Sequence, residues 1–167
     1  MMIDATILSA AEHLLAACRL AGLRIVTAES CTGGLIAATL TAVAGSSDVV
    51  DRSFVTYSNA AKTEMLGVPP ALIGRLGAVS SEVANAMALG ALARSAADVA
   101  VSVTGIAGPD GGSAEKPVGL VWFGIAMRGV RASCVMEVFP GDRSAVRRQT
   151  VSRALALLAA KALPASR

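Results

Sequence analysis

The run "DVAVSVTGIAG", residues 98–108, limits the architecture more than any other stretch. Its first half is an almost unbroken β-favouring series with no polar side to turn toward water, the pattern of a strand buried on both faces. Such a strand needs helices above and below it, and the rest of the chain provides them. Residues 4–21 carry apolar positions three and four apart, with Ile7, Ala11, Leu14 and Cys18 on one stripe, and Gly22 suits the left-handed C-cap that ends a helix. "RIVT" at 24–27 reads as a first strand, after which a helical pattern runs from Leu35 to about Val43, and "AGSSD" at 44–48 reads as a turn.

"RSFVTYS" at 52–58 reads as a second strand, followed by a short helix through Asn59, Lys62 and Leu66 that Gly67-Val68-Pro69-Pro70 breaks. Pro70 opens another helical turn, and Ser80 suits the N-cap of a helix over 81–95. After the third strand come "VGLVWFGIAM" and "VRASCVMEVF", joined by Arg128-Gly129 as a hairpin. A last helix starts near Asp142 and turns Val146, Val151, Leu155, Leu158 and Ala162 inward. Strands alternating with helices and then a hairpin predict one α/β domain over residues 1–167. Its sheet is mixed, of about five strands, with helices on both faces.

The totals narrow the chemistry. The chain is 54% hydrophobic but 3% aromatic, so its core is expected to be Ala, Val, Leu and Ile. No apolar run is long enough for a bilayer, and the acidic, helical N-terminus lacks the basic start of a signal peptide; a soluble, cytoplasmic protein is expected. Three widely spaced cysteines match no disulfide or zinc pattern, and a single histidine excludes a multi-histidine metal centre. His13 lies off the apolar stripe of the first helix and reads as a surface residue. The net charge is +3, with a local excess at Arg143, Arg147, Arg148 and Arg153. Without a broad basic face or stacking aromatics, this cluster suits a small anionic ligand better than nucleic acid.

Three strand ends carry unusual residues, and ligands of open α/β sheets gather beyond such ends. The first brings Glu29, Ser30, Cys31, Thr32, Gly33 and Gly34; the second Tyr57, Ser58 and Asn59 with Lys62 one helical turn on; the third Thr104, Gly105 and Gly108. If the strands are neighbours, their tips form one pocket. Ser30 needs a base to become a nucleophile, and the candidates are Lys62 and Glu29. A lysine serves when uncharged, which burial or a helix N-terminus promotes. Cys31 competes with Ser30, since a thiolate at a helix start is activated. The N–H groups at Thr32 to Gly34 suit an anion, and either they or those around Thr104 and Gly105 suit an oxyanion. The "GPDGG" loop at 108–112 is long enough to cover such a pocket.

The blocks "TAESCTGGLIAATLTAVAGSSDVV", "SFVTYSNAAKTEMLGV", "GAVSSEVANAMALGA", "SVTGIAGPDGGSAEKPVGLVWFGIA" and "FPGDRSAVRRQTV" resemble, in order and over nearly the whole chain, the CinA C-terminal domain family. The resemblance implies a three-layer α/β/α sandwich with a mixed five-stranded sheet. It implies hydrolysis of nicotinamide mononucleotide to nicotinate mononucleotide and ammonia in pyridine-nucleotide salvage. It further implies Ser30 as nucleophile, Lys62 as its base, and Tyr57 and Thr104 lining the same site. Glu29, Thr32, Gly33, Gly34, Asn59 and Gly105 are expected beside the substrate, Arg143 and Arg147 on its phosphate. No cofactor or metal is implied; a homodimer is expected, and neither nucleic acid nor membrane as a partner. Two rivals remain: a non-catalytic nucleotide- or partner-binding module, and a metal-dependent phosphohydrolase using Glu29, Asp48, Asp51 and Asp110.

Overall fold

The computed structural model describes residues 4–162. In chain order the elements are α1 (Ala5–Ala21), β1 (Ile25–Glu29), α2 (Leu35–Thr41), β2 (Val50–Val55), α3 (Asn59–Leu66), α4 (Pro70–Leu76), α5 (Ser81–Ala93), β3 (Val99–Gly105), β4 (Leu120–Met127), β5 (Val130–Val138) and α6 (Arg143–Ala162). A short 3₁₀ turn, Ser46–Asp48, lies within the stretch read as a turn. The strands form one sheet in the order β2-β1-β3-β4-β5. β1 runs parallel to both β2 and β3, while β3–β4 and β4–β5 are antiparallel. The sheet is therefore mixed and five-stranded, in a single α/β domain with helices on both faces.

Caps delimit the helices as the residue types require. Asp4 accepts from the Thr6 N–H at the start of α1, and Gly22 closes that helix at φ 66°. Ser58 and Ser80 cap α3 and α5 through their hydroxyls. Asp142 accepts from the Ala145 N–H where α6 begins.

Alternate residues of the central strands feed two separate cores. On one face, Ile25 of β1 and Val99, Val101 and Val103 of β3 pack with Leu14, Leu15 and Cys18 of α1, Ile36 and Leu40 of α2, and Val146, Leu155 and Leu158 of α6. On the other, Val26, Ala28 and Ala100 meet Leu66 of α3, Ile73 of α4, and Val83, Met87, Ala88 and Ala91 of α5. The small residues on this second face permit close helix approach. Gly90 of α5 has no room for a Cβ, because the Leu66 carbonyl at the end of α3 lies directly over it. Packing of this kind locates α3 relative to the sheet. His13 is exposed on α1. No helix among the described residues is long and apolar enough to cross a membrane.

Two strand boundaries beside the site differ from the sequence reading. β1 continues to Glu29, two residues past Thr27, although a carboxylate ends the apolar pattern. β2 occupies Val50–Val55, so Tyr57 and Ser58 lie beyond the strand rather than in it. Thr56 N–H still bonds the Glu29 carbonyl at 2.8 Å, after which the chain turns into α3.

Candidate active site

The carboxyl ends of β1, β2 and β3 lie side by side, with β1 in the middle. Ser30 continues the ladder by donating its N–H to the Val103 carbonyl at 3.0 Å. Strand alternation then decides what faces where. Glu29 and Val103 point to the face of α1, α2 and α6; Ser30 and Thr104 follow them and project to the face of α3, α4 and α5.

Lys62 reaches this second face from the first turn of α3. Its Nζ lies 2.9 Å from Ser30 Oγ and donates to the Thr56 carbonyl, also at 2.9 Å. The side chain is 1% exposed, and it has no ion pair among the described residues. Burial lowers the amine below its ordinary 10.5, because charging it would remove hydration without supplying a counterion. Burial thus favours the neutral form of an amine that lies against a serine hydroxyl, and a neutral amine in that position can take the proton that oxygen must lose.

Cys31 faces the opposite way. Only 6% exposed, it packs into the core beneath α1, α2 and α6. Burial pushes its thiol up to about 12, so it stays protonated. Of the two adjacent candidates, the hydroxyl alone lies against the amine.

Glu29 is neither beside Lys62 nor open to solvent. Its fully buried carboxylate accepts from Thr32 Oγ1 at 2.7 Å and from the N–H groups of Gly34, Ile36 and Ala37 at 3.0, 3.0 and 2.8 Å. Of the amides expected to be free for an anion at Thr32 to Gly34, that of Gly34 is therefore taken by a side chain of the protein itself. The Gly33 N–H bonds the Ser30 carbonyl at 3.0 Å. Within residues 30–34, the N–H groups left without an acceptor are those of Cys31 and Thr32. Of the three amides expected at Thr32 to Gly34, only that of Thr32 has no acceptor, and Cys31 adds a second. Both glycines adopt positive φ, 58° and 95°, which makes the tight turn possible.

The remaining expected residues form a rim. Tyr57 is 61% exposed, and its hydroxyl accepts from Arg143 Nη2 at 2.9 Å; Arg143 Nη1 reaches the Gly108 carbonyl at 3.1 Å. One guanidinium thus joins the tips of β2 and β3. Arg147 is half-buried and donates from Nη2 to the Thr32 carbonyl at 2.7 Å, a geometry that ties it to the backbone of the turn. Asn59 is exposed at the first position of α3. Thr104 Oγ1 donates to the Ala78 carbonyl at 2.9 Å and so holds the α4–α5 connection over the end of β3. Gly105 lacks room for a side chain: a Cβ would come within 2.6 Å of the Leu120 carbonyl. Close packing of β4 explains that glycine without a ligand. The sequence reading missed Thr56, whose carbonyl holds Lys62; a backbone acceptor leaves no mark on residue type.

Carboxylates do not converge here. Asp48 pairs with Arg19, and Asp51 with Arg24 and Arg52 near the start of β2. No group of three or more His, Cys, Asp or Glu side chains able to hold a metal occurs among the described residues.

A serine hydroxyl held against a buried lysine amine thus lies at the strand tips of a doubly covered α/β sheet. The chain belongs to the CinA C-terminal domain family, whose profile matches residues 7–162. It is 59% identical over 134 residues to nicotinamide-nucleotide amidohydrolase PncC of Enterobacter agglomerans, covering 80% of this chain and 82% of that protein. It is 49% identical over 157 residues to the PncC of Escherichia coli K12, covering 94% and 95%. The crystal structure of the competence/damage inducible protein CihA from Agrobacterium tumefaciens superposes with a TM-score of 0.92 at 49% identity, covering 96% of this chain and 98% of that one. Longer relatives also match: the chain covers 32 to 33% of several CinA-like proteins.

Proposed function

We propose that the protein hydrolyses the carboxamide of nicotinamide mononucleotide, giving nicotinate mononucleotide and ammonia through an acyl-enzyme on Ser30. The observation that carries this reading is the 2.9 Å approach of a buried, unpaired Lys62 amine to Ser30 Oγ. The substrate comes from the relatives named for that activity.

Uncharged Lys62 takes the Ser30 proton as Oγ attacks the carboxamide carbon. The carbonyl oxygen becomes an oxyanion, and the Cys31 and Thr32 N–H groups are its donors. The Lys62 ammonium then returns the proton to the departing nitrogen, which leaves as ammonia. Water enters, gives a proton to Lys62 and attacks the acyl carbon. Collapse frees the carboxylic acid, and the proton passes from Lys62 back to Ser30 Oγ. One amide and one water are consumed per acid and ammonia released, and the protein ends unchanged.

The rim supplies recognition. The pyridinium ring of the substrate is cationic, which suits the exposed face of Tyr57. Arg143, at the mouth between Tyr57 and Gly108, is the residue we assign to the phosphate. A homodimer is part of the same reading, and sedimentation at micromolar concentration measures it.

The test is ammonia release from nicotinamide mononucleotide by wild type, Ser30→Ala and Lys62→Ala. Wild type is expected to turn over and both variants to be inactive. A wild type that binds the nucleotide without releasing ammonia refutes the enzyme and supports a binding module.

A further inference from the structure

We propose that Glu29 is a positioning residue: its carboxylate holds the Ser30–Gly34 turn in the shape that aims the Ser30 hydroxyl and the two open N–H groups at one point. The proposal rests on the amidase reading above and adds a residue to it. Glu29 touches neither Lys62 nor, in that mechanism, the substrate, so it is not a catalytic residue.

The argument starts from the cost of the group. A fully buried carboxylate with no cation beside it is tolerated only when hydrogen-bond donors surround it. Here they come from both sides of the turn. Glu29 ends β1, immediately before Ser30, while its oxygens bind Thr32 Oγ1 within the turn and the Gly34, Ile36 and Ala37 N–H groups beyond it. Thr27 Oγ1 adds a contact to Oε1 at 3.3 Å from the strand side. One side chain therefore clamps the two ends of a five-residue turn.

That turn contains two consecutive glycines, which by themselves give the backbone its greatest freedom. Arg147 Nη2 fixes the Thr32 carbonyl from α6, so the peptide between Thr32 and Gly33 is held by its oxygen while the carboxylate holds the hydroxyl of Thr32 and the following amides. The peptides carrying the Cys31 and Thr32 N–H groups lie inside this bracket. An apolar residue would fill the space at position 29 and bury as well, but would hold none of these amides in place.

Displacement of a reacting group by about 1 Å costs on the order of 10²-fold in rate, and this sets the expected effect. Glu29→Gln keeps the size but places an NH₂ where an N–H or O–H donor now points. Its kcat for ammonia release is expected to fall about 10²-fold, with KM changed by less than about 3-fold because the rim is untouched. The rate at which a fluorophosphonate labels Ser30 should fall in parallel. Glu29→Ala removes the equivalent of one acetate; added acetate, but not neutral acetamide, is expected to restore part of its kcat. A folded Glu29→Gln with wild-type kcat and labelling rate overturns the proposal. So does a loss that disappears once activity is expressed per folded protein, since that is stabilisation alone. If Glu29→Gln does not fold, Thr32→Val removes a single donor and should still lower kcat and labelling together; unchanged rates overturn the proposal equally. Labelling reads Ser30 directly and separates the two readings. A wild type that is labelled but releases no ammonia refutes the substrate assignment, and the Glu29 role is then decided by the labelling ratio.

Discussion

Ser30 and Cys31 are neighbours in sequence and alternatives in chemistry, and the structure turns the choice between them into a number. The Cys31 thiol is pushed from 9.0 up to about 12 by burial. At pH 7 its thiolate fraction is then on the order of 10⁻⁵, against about 10⁻² for an unshifted thiol, a difference of roughly 4 kcal/mol. Only the thiolate attacks carbon, so alkylation of Cys31 by iodoacetamide should run at least about 10³-fold slower than that of a free thiol. Its low exposure slows the reaction further. The assay is peptide mapping by mass spectrometry over a time course at pH 7, in native and urea-unfolded protein. Cys18, pushed up to about 11 and likewise closed to solvent, serves as an internal reference. In parallel, Cys31→Ala should keep turnover within about 10-fold of wild type, its cost being packing. Ser30→Ala should lose about 10⁴-fold or more. Rapid Cys31 labelling that kills activity, or an inactive Cys31→Ala beside an active Ser30→Ala, refutes the assignment.

Lys62→Met should abolish turnover, and the pH dependence of wild type should report the same amine. Burial lowers its pKa, so the unfolded chain binds a proton that the folded chain refuses. Wild-type stability measured against Lys62→Met is therefore greatest above about 10.5. It declines as pH falls toward the lowered value, and activity drops as pH falls through that value; a rate independent of pH across the neutral and alkaline range refutes the base. Gly90→Ala places a methyl against the Leu66 carbonyl. It should cost about 1–3 kcal/mol in urea denaturation and lower kcat, because α3 carries Lys62. Arg143→Ala should raise KM for nicotinamide mononucleotide about 10- to 100-fold. It should leave KM for nicotinamide riboside, which lacks the phosphate, nearly unchanged; equal effects on both refute the phosphate assignment.

Elements and faces were legible because their signals are local. Apolar period, Gly22 and Gly67 as stops, and Ser58 and Ser80 as caps each act within a few residues. The meeting of Ser30 with Lys62 was legible only conditionally, on β1 and β2 being neighbours. The family resemblance, rather than any spacing, supported that condition. Glu29 was misplaced among substrate contacts because a carboxylate beside a serine looks the same whether it faces a ligand or the helix that follows. Its partners are backbone amides of residues 34–37, which any side chain would have presented. For Arg147 charge suggested an anion, and its Nη2 contact to a main-chain carbonyl was invisible in the sequence for the same reason.

The pleat of β1 has a consequence for how such a site can change. Because successive residues leave the sheet on opposite sides, the register of the strand selects which atom meets the amine. Deleting one residue between Ile25 and Glu29 would present the Cys31 sulfur where the Ser30 oxygen now stands, while inserting one would put the Glu29 carboxylate there instead. Point substitutions at the rim leave the meeting of hydroxyl and amine in place, whereas a change in the length of this one strand does not.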